Sequence, residues 1–283
     1  MHDIIKKVVS KLLINSRKYI YQYLYKDYNT DPFNVTFKKI DKKKYKELYV
    51  YVKNNKDVGF ISAIANDFKY TIDTEFLDKL ALTTQIVVKK SIPSYNHGYL
   101  LYGAVRKYVD EHKNLNCINI LETGTARGFS AIVMAKALSD AKKFGKVITI
   151  DILPIHSFIF WNCIKDIDDK NTRFSLLEEW KFLVDDYIIF VQGYTDVVLN
   201  RLGIGRINIA FIDGAHDYDS VYYELKYVAS FQKSADVIIC DDYTPKIYPG
   251  VAKAVNDFIN CYNYSLKLYT DASKRGYAYL LKR

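Results

Sequence analysis

The sequence lacks the features of a secreted, disulfide-stabilised or membrane-spanning protein. Its four cysteines, Cys117, Cys163, Cys240 and Cys261, stand alone without a CxxC pair. We therefore expect neither a disulfide framework nor a structural zinc site, and the pattern favours a reducing compartment. No apolar run approaches the roughly 18 residues that a membrane-spanning helix needs. Lysines interrupt the apolar segment 4–14 and no small-residue cleavage site follows it, so we expect no secretory signal and a cytoplasmic location.

What the sequence does have is ample apolar material and an uneven charge. Of the 283 residues, 49% are hydrophobic, which is enough for a core and excludes global disorder. The net charge is +9, from 41 basic and 32 acidic side chains. Residues 1–100 hold 18 basic and 10 acidic side chains, whereas residues 101–283 hold 23 and 22. The excess therefore predicts an N-terminal unit with a task different from that of the remainder.

The N-terminal region is basic and its pattern is mainly helical. Residues 3–25 place paired apolar positions between lysines and arginines, which predicts an amphipathic helix. It either docks on its own protein, which we favour, or lies on an anionic membrane surface as a peripheral contact. Lysine-rich residues 38–60 follow, and 91–98 form a turn-rich joint. We predict two units, 1–94 for substrate, partner or homo-oligomer contacts and 95–283 for catalysis.

From residue 100 onward, short β-branched runs alternate with helical segments, which is typical of an α/β protein with a mostly parallel sheet. Near-continuous apolar strands indicate helices on both faces, hence a doubly wound, seven-stranded Rossmann-like sheet with ligands at the carboxyl ends of its strands. The predicted strands are Cys117–Leu121, Val147–Ile150, Tyr187–Val191, Ile207–Ile212, Val237–Cys240, Leu266–Tyr269 and Tyr277–Leu281.

The first two strand ends indicate a pocket for a nucleoside-type ligand. After the first strand, Glu122 is followed by Gly124 and Gly128, which permit a tight turn at the start of a helix whose N–H groups suit a polar ligand. The second strand ends at Asp151, and a carboxylate there can accept hydrogen bonds from both hydroxyls of a ribose.

An ordered series of motifs then resembles a known family. The motifs lie at successive strand ends and helix starts: Glu122–Ser130, Asp151, Gln192–Asp196, Phe211–Tyr218, Cys240–Tyr243 and Pro249–Val251. Together they resemble the class I S-adenosylmethionine (SAM)-dependent methyltransferases. Within that class they are similar to the metal-dependent O-methyltransferases related to macrocin and catechol methyltransferases, and to the cephalosporin-hydroxylase-like group. The resemblance covers about residues 95–283.

The resemblance implies roles for individual residues. It places Asp213, Asp241 and Asp242 as ligands of Mg²⁺ or another divalent cation, and His216 with Asp213 as the catalytic pair, His216 being the general base. Ala126 departs from the family pattern, in which glycine is commoner, and its small size makes it tolerable. The residues implied to bind SAM are Glu122, Gly124, Thr125, Ala126, Gly128, Ser130, Asp151, Gly193, Tyr194, Thr195, Asp196 and Asp213.

The chemistry of these side chains supports the same interpretation. Three carboxylates at neighbouring strand ends repel one another and need a cation, and oxygen ligands select a hard ion such as Mg²⁺. Such an ion orients a hydroxyl and lowers its pKa, and a nearby histidine can take the proton. We therefore expect methyl transfer to a hydroxyl of a small molecule or a saccharide. The aromatic-rich segment 153–186, with Phe158, Trp161 and Trp180, is predicted to form a wall or lid over that acceptor.

Three other functions compete with this prediction. An NAD-dependent oxidoreductase uses a similar sheet, but the GxGxxG fingerprint is missing. A nucleic-acid methyltransferase could use the basic N-terminal region, yet residues 213–216 read Asp-Gly-Ala-His where an Asp-Pro-Pro-aromatic stretch is expected, so nucleic acid is not the expected partner. A non-catalytic scaffold would not need Asp213, Asp241, Asp242 and His216 together.

Overall fold

The structure is a computed structural model that describes residues 42–89 and 93–283. The predicted amphipathic helix at 3–25, with its docking or membrane contact, lies outside the described residues. The helices are α1 (Lys42–Asn54), α2 (Val58–Phe68), α3 (Thr74–Thr84), α4 (His97–Glu111), α5 (Phe129–Asp140), α6 (Arg173–Leu176), α7 (Lys181–Tyr187), α8 (Thr195–Leu199), α9 (Tyr218–Ser230) and α10 (Pro249–Cys261). The strands are β1 (Ile118–Thr123), β2 (Gly145–Asp151), β3 (Ile188–Gln192), β4 (Ile209–Ile212), β5 (Val237–Cys240), β6 (Tyr264–Thr270) and β7 (Gly276–Lys282).

The seven strands form one sheet in the order β3-β2-β1-β4-β5-β7-β6. Strands β1 to β5 pair in parallel, while β7 runs antiparallel to both β5 and β6. This confirms the predicted doubly wound, mostly parallel, seven-stranded sheet. The strand order reverses between β1 and β4, and ligands of such sheets bind at this switch point, beyond the carboxyl ends of the strands.

The core lies on both faces of the sheet because successive strand residues point in opposite directions. Ile209 and Phe211 of β4 join the cluster that contains α4 and α5, whereas Ala210 and Ile212 join the cluster on the other face, which contains α9 and α10. Strand β4 is buried along its whole length. It can therefore hold the residue after it, Asp213, at a fixed position.

Of the described helices of the N-terminal region, α2 packs at the β6–β7 end of the sheet, whereas α1 and α3 contact the 3₁₀ turn Ile164–Ile167 and α3 also contacts α5. Buried side chains of α1, α2 and α3 belong to the same hydrophobic cluster as the sheet. The ring of Phe60 lies 5.6 Å from that of Tyr277, and the ring of Phe68 lies 5.8 Å from that of Tyr269. On the surface, Lys267 pairs with Asp67 at 2.7 Å. These helices share a core with the catalytic half, and the division at residue 94 stays a prediction.

The long crossover between β2 and β3 packs against the protein core and contributes buried side chains to it. It holds two 3₁₀ turns, Ile164–Ile167 and Glu178–Trp180, besides α6 and α7. Trp161 and Trp180 are each 3% exposed and are core residues, while Phe158 is 67% exposed. Of the three aromatic side chains predicted to cover an acceptor, only Phe158 is therefore on the surface.

Among the residues described, no helix is both long enough and apolar enough to cross a membrane.

The contact between α2 and the β6–β7 loop gives a first prediction. Asp57 caps α2 by accepting from Phe60 N at 3.0 Å, and its other oxygen accepts from Ala272 N at 2.6 Å. Asp57→Ala removes both bonds and should lower the free energy of unfolding by about 2 kcal/mol. Asp73→Ala is the matched control because Asp73 accepts only the capping bond, from Phe76 N at 2.8 Å, and should cost about 1 kcal/mol. Equal losses in urea unfolding would contradict a role for Asp57 in holding the loop.

Candidate active site

The loop between β1 and α5 passes against the end of β4. Gly124, Ala126 and Gly128 have φ angles of +87°, +46° and +89°, all in the left-handed region. A Cβ atom on Gly124 would lie 2.1 Å from the carbonyl oxygen of Asp213, so only glycine fits there. The loop thereby lies directly beside the carboxylate-bearing end of β4.

A buried polar layer supports this loop from below. Glu122 is fully buried, and its carboxyl oxygens accept hydrogen bonds from the hydroxyls of Ser130 and Thr149. The hydroxyl of Thr149 also lies 2.5 Å from that of Thr125. Burial raises the pKa of Glu122 to about 7, against the lowering effect of these hydrogen bonds. Glu122, Thr125 and Ser130 are therefore linked below the loop by hydrogen bonds, and their part in cofactor binding stays a prediction.

Above the loop is a cavity of about 670 Å³ at the switch point of the sheet. Of the residues predicted to bind the cofactor, it is lined by Gly124, Asp151, Tyr194, Thr195 and Asp196. The others, Glu122, Thr125, Ala126, Gly128, Ser130, Gly193 and Asp213, do not line it. Sequence reasoning missed Ile150, Ile152, Asn200, Gly214, Ala215, Asp219, Ser220, Tyr223 and Glu224.

One of the missed residues had a signal in the sequence. Glu224 lies on the buried face of α9 beside Val221, Leu225 and Val228, where a carboxylate is unexpected. It is 2% exposed, and it accepts a hydrogen bond from Thr123 Oγ1 at 2.9 Å. Burial raises its pKa to about 7. A carboxylate on the apolar face of an amphipathic helix was therefore the sequence signal for this cavity-lining residue.

Asp151 is held at the edge of the cavity by backbone groups. Its Oδ2 accepts from Ala126 N at 2.6 Å, and its Oδ1 accepts from Leu153 N at 2.7 Å. The N–H of Gly193, which follows β3, donates to the carbonyl oxygen of Asp151 at 2.8 Å. Each carboxyl oxygen keeps a further lone pair for a ligand.

A second group of acidic side chains lies at the ends of β4 and β5. One ligand atom each from Asp213, His216 and Asp242 lies within 4.8 Å of the others. His216 Nε2 is 2.9 Å from Asp242 Oδ2, and the imidazole stacks on Tyr248 with 4.5 Å between ring centres. Burial and the neighbouring carboxylate of Asp241 raise the pKa of Asp213 well above its ordinary value. This carboxylate is unfavourable without a cation.

Asp241, predicted as a third metal ligand, is not brought into this group. Both of its oxygens pair with the guanidinium of Arg275, one of them at 2.9 Å from Nε. The same Nε lies 3.4 Å from Asp242 Oδ1. Arg275 comes from the loop before β7, and no local pattern in the sequence indicated that it would reach β5. The arrangement leaves Asp213 and Asp242 as the carboxylates closest to a position where a cation could bind.

The sequence of this region matches known proteins as well. Residues 121–243 match the family model described as a methyltransferase domain. Over these residues the chain therefore carries a methyltransferase domain. This confirms the predicted enzyme class, and the matched residues run from β1 to the end of β5. No curated protein matches the chain in sequence at a significant level.

Solved structures with the same fold include several methyltransferases. The O-methyltransferase TomG from Streptomyces achromogenes, in complex with SAM, is 16% identical with a TM-score of 0.52, over 86% of this chain and 99% of that one. An O-methyltransferase from Bacillus cereus in complex with SAH is also 16% identical, with a TM-score of 0.51 over 86% and 100% of the two chains. The O-methyltransferase NovP is 17% identical, with a TM-score of 0.53 over 74% and 98%. At these identities the likeness shows the fold of the methyltransferase domain.

The buried carboxyl group below the loop predicts a pH dependence of stability. The native state keeps a proton on Glu122 up to a pH of about 7, whereas the unfolded chain releases it near pH 4.5. The free energy of unfolding therefore falls as pH rises through this window, by about 3 kcal/mol for this residue. We expect Glu122→Gln to remove the contribution of Glu122 to the difference in the free energy of unfolding between pH 5 and pH 8, measured by urea unfolding. The contribution of Glu224, whose pKa is also raised to about 7, should remain.

The control for this measurement is Glu111→Gln, at an exposed glutamate 3.8 Å from Lys107. It should leave the pH dependence as in the wild type. If Glu122→Gln also left it unchanged, Glu122 would be ionised in the folded protein across the whole window.

Proposed function

We propose that this methyltransferase transfers the methyl group of SAM to a hydroxyl oxygen of a small-molecule or saccharide acceptor, assisted by Mg²⁺. One observation carries the proposal. The middle residues of the segment Asp213–His216, Gly214 and Ala215, line the cavity, while its two ends belong to the acidic group. A methyl donor in the cavity and a hydroxyl at the acidic group would thus lie on two sides of one short segment.

The cavity residues suit the parts of SAM. Asp151, held by two backbone N–H groups, is oriented to accept from the hydroxyls of a ribose. Tyr194, Thr195 and Asp196 follow β3 and form the wall next to Asp151, where the adenine would lie. Gly124 allows the backbone to approach the amino-acid part closely.

The acidic group has a donor set that fits a divalent cation. Asp213 and Asp242 supply carboxylate oxygens, which are the ligands that Mg²⁺ prefers, and burial together with the neighbouring carboxylate of Asp241 raises the pKa of Asp213. A bound Mg²⁺ would orient the acceptor hydroxyl and lower its pKa. Asp241 would contribute less than predicted because Arg275 already holds both of its oxygens.

His216 is placed to take the proton of the acceptor. When its Nε2–H donates to Asp242, its Nδ1 carries the free lone pair. Asp242 would thus orient the imidazole, as carboxylates do for catalytic histidines, and the stacked ring of Tyr248 would restrict its rotation. The acceptor oxygen would then attack the methyl group in line with the sulfonium, with its position set by these side chains.

Cofactor binding can be measured without knowing the acceptor. In isothermal titration calorimetry the protein should bind S-adenosylhomocysteine (SAH) and show no heat with NAD. Asp151→Asn should weaken SAH binding at least about tenfold, since it removes a charge-assisted hydrogen bond to the ribose. Asp110→Asn, at an exposed side chain next to Lys113, is the control and should bind as the wild type does. Binding of NAD but not SAH would contradict the proposed function.

Cation binding separates the roles of the acidic group. Titration with Mn²⁺, followed by its electron paramagnetic resonance signal, should show one site that Asp213→Asn weakens by at least about tenfold. His216→Ala should change Mn²⁺ affinity by no more than about threefold, because His216 is proposed as the base and not as a ligand. Asp257→Asn, at a half-exposed residue paired with Lys253, is the control. A loss of Mn²⁺ binding in His216→Ala would make His216 a ligand and remove its proposed role.

A further inference from the structure

Arg173 is a charged side chain that is fully buried among the described residues. It lies at the start of α6 in the β2–β3 crossover, is 0% exposed and is the largest of the fully buried side chains. Its guanidinium carbon lies 5.4 Å from the ring centre of Trp161 and 5.6 Å from that of Phe190. Within the described residues, its two terminal nitrogens have no hydrogen-bond partner. Burying a cation in this way is costly, so the contacts that it does make need an explanation.

The polar contacts of the Arg173 side chain are with residues at the cofactor cavity. Arg173 Nε donates to the carbonyl oxygen of Ala126 at 3.0 Å. One terminal nitrogen lies 3.9 Å from Asp151 Oδ2, the oxygen that also accepts from Ala126 N. Arg173, Ala126 and Asp151 therefore form a closed group, in which the arginine contacts both the loop and the carboxylate at the cavity edge.

Ala126 is the member of this group that needs support. Its φ of +46° lies in the left-handed region, which costs an alanine about 1 kcal/mol and a glycine almost nothing. The two hydrogen-bonding groups of its backbone are both engaged, the N–H by Asp151 and the C=O by Arg173. If Ala126 relaxed to a negative φ, its N–H would turn away from Asp151, and that carboxylate would lose one of the two bonds that orient it.

We propose that Arg173 is a positioning residue of the cofactor site, which holds Ala126 in its left-handed conformation and thereby keeps Asp151 aimed at the cofactor. This inference rests on the proposed function, because it takes the cavity as the place of the nucleoside. Arg173 acts through Ala126 and Asp151 and touches no reacting atom. A glycine at position 126 would adopt the positive φ without strain, so it would not need the hydrogen bond that the guanidinium donates to residue 126.

The alternative is that Arg173 only fills the core between the aromatic rings of the crossover. The two roles differ in their dependence on residue 126. A core-filling arginine supports folding whichever residue stands at 126, whereas a positioning arginine matters less once residue 126 adopts a positive φ without strain. A double-mutant cycle between positions 173 and 126 therefore separates them.

The experiment measures SAH affinity by calorimetry and the thermal midpoint for four proteins: wild type, Arg173→Gln, Ala126→Gly and the double variant. We expect Arg173→Gln to weaken SAH binding about tenfold and Ala126→Gly to change it less than about threefold. The double variant should bind SAH at least about threefold more tightly than Arg173→Gln alone, because glycine keeps the loop conformation without the clamp. Lys181→Gln, in the same crossover and paired on the surface with Asp185, is the control.

Each outcome has a definite meaning. If folded Arg173→Gln binds SAH as the wild type does, or if the two substitutions are additive, the positioning role is wrong. If the wild type itself does not bind SAH, the proposed function fails, and this inference fails with it. If Arg173→Gln does not fold, Arg173→Lys takes its place: it keeps the charge but not the Nε–H bond to Ala126, and it should weaken SAH binding at least about threefold, with rescue by Ala126→Gly. Wild-type affinity in Arg173→Lys would overturn the proposal.

Discussion

Repulsion between like charges at the carboxyl ends of β4 and β5 is the constraint on which the site depends. Parallel strands end at one edge of the sheet, so Asp213, Asp241 and Asp242 come together whatever else the chain does. Three carboxylates that are buried or half-buried are unstable unless their charge is compensated. The molecule compensates one of them internally, by the pairing of Asp241 with Arg275. This leaves Asp213 and Asp242, beside His216, with charge that a bound cation can neutralise.

The internal compensation depends on parts of the chain far from the strand ends. Arg275 N donates to Asp271 Oδ1 at 3.1 Å, and Asp271 Oδ2 accepts from Asn96 at 3.4 Å, so the β6–β7 loop has a fixed shape. Asp57 at the start of α2 holds the same loop through Ala272 N. The start of α2 therefore supports the loop that delivers Arg275. Part of the basic region, which the charge distribution separates from the catalytic half, contributes in this way to the geometry of the site.

The alternation of apolar strands and helical segments was sufficient to predict the sheet and the position of its ligand-binding edge. The sheet class and the acidic residues at four strand ends were predictable, because apolar runs mark strands and parallel strands share one ligand-binding edge. The pairing of Arg275 with Asp241 was not, since it depends on the conformation of an irregular loop between antiparallel strands. Composition predicts an aromatic wall or lid in the crossover, but it does not distinguish a buried tryptophan from an exposed one, and both tryptophans are buried. The small size of Ala126 is evident from the sequence, whereas its positive φ depends on its neighbours in the fold.

The half-buried Arg275 and the buried Arg173 show how a strand-end carboxylate is either kept for a ligand or withdrawn from it. Asp241 receives a bidentate ion pair from Arg275, which occupies the oxygens that a cation would need. Asp151 is 3.9 Å from Arg173 and receives its direct hydrogen bonds from backbone N–H groups, which leaves lone pairs facing the cavity. The same side-chain type thus neutralises one acid and only supports the other. In this site, the acids that remain available to ligands depend on where the β2–β3 crossover and the β6–β7 loop place their arginines, and the strand-end motifs do not determine that placement.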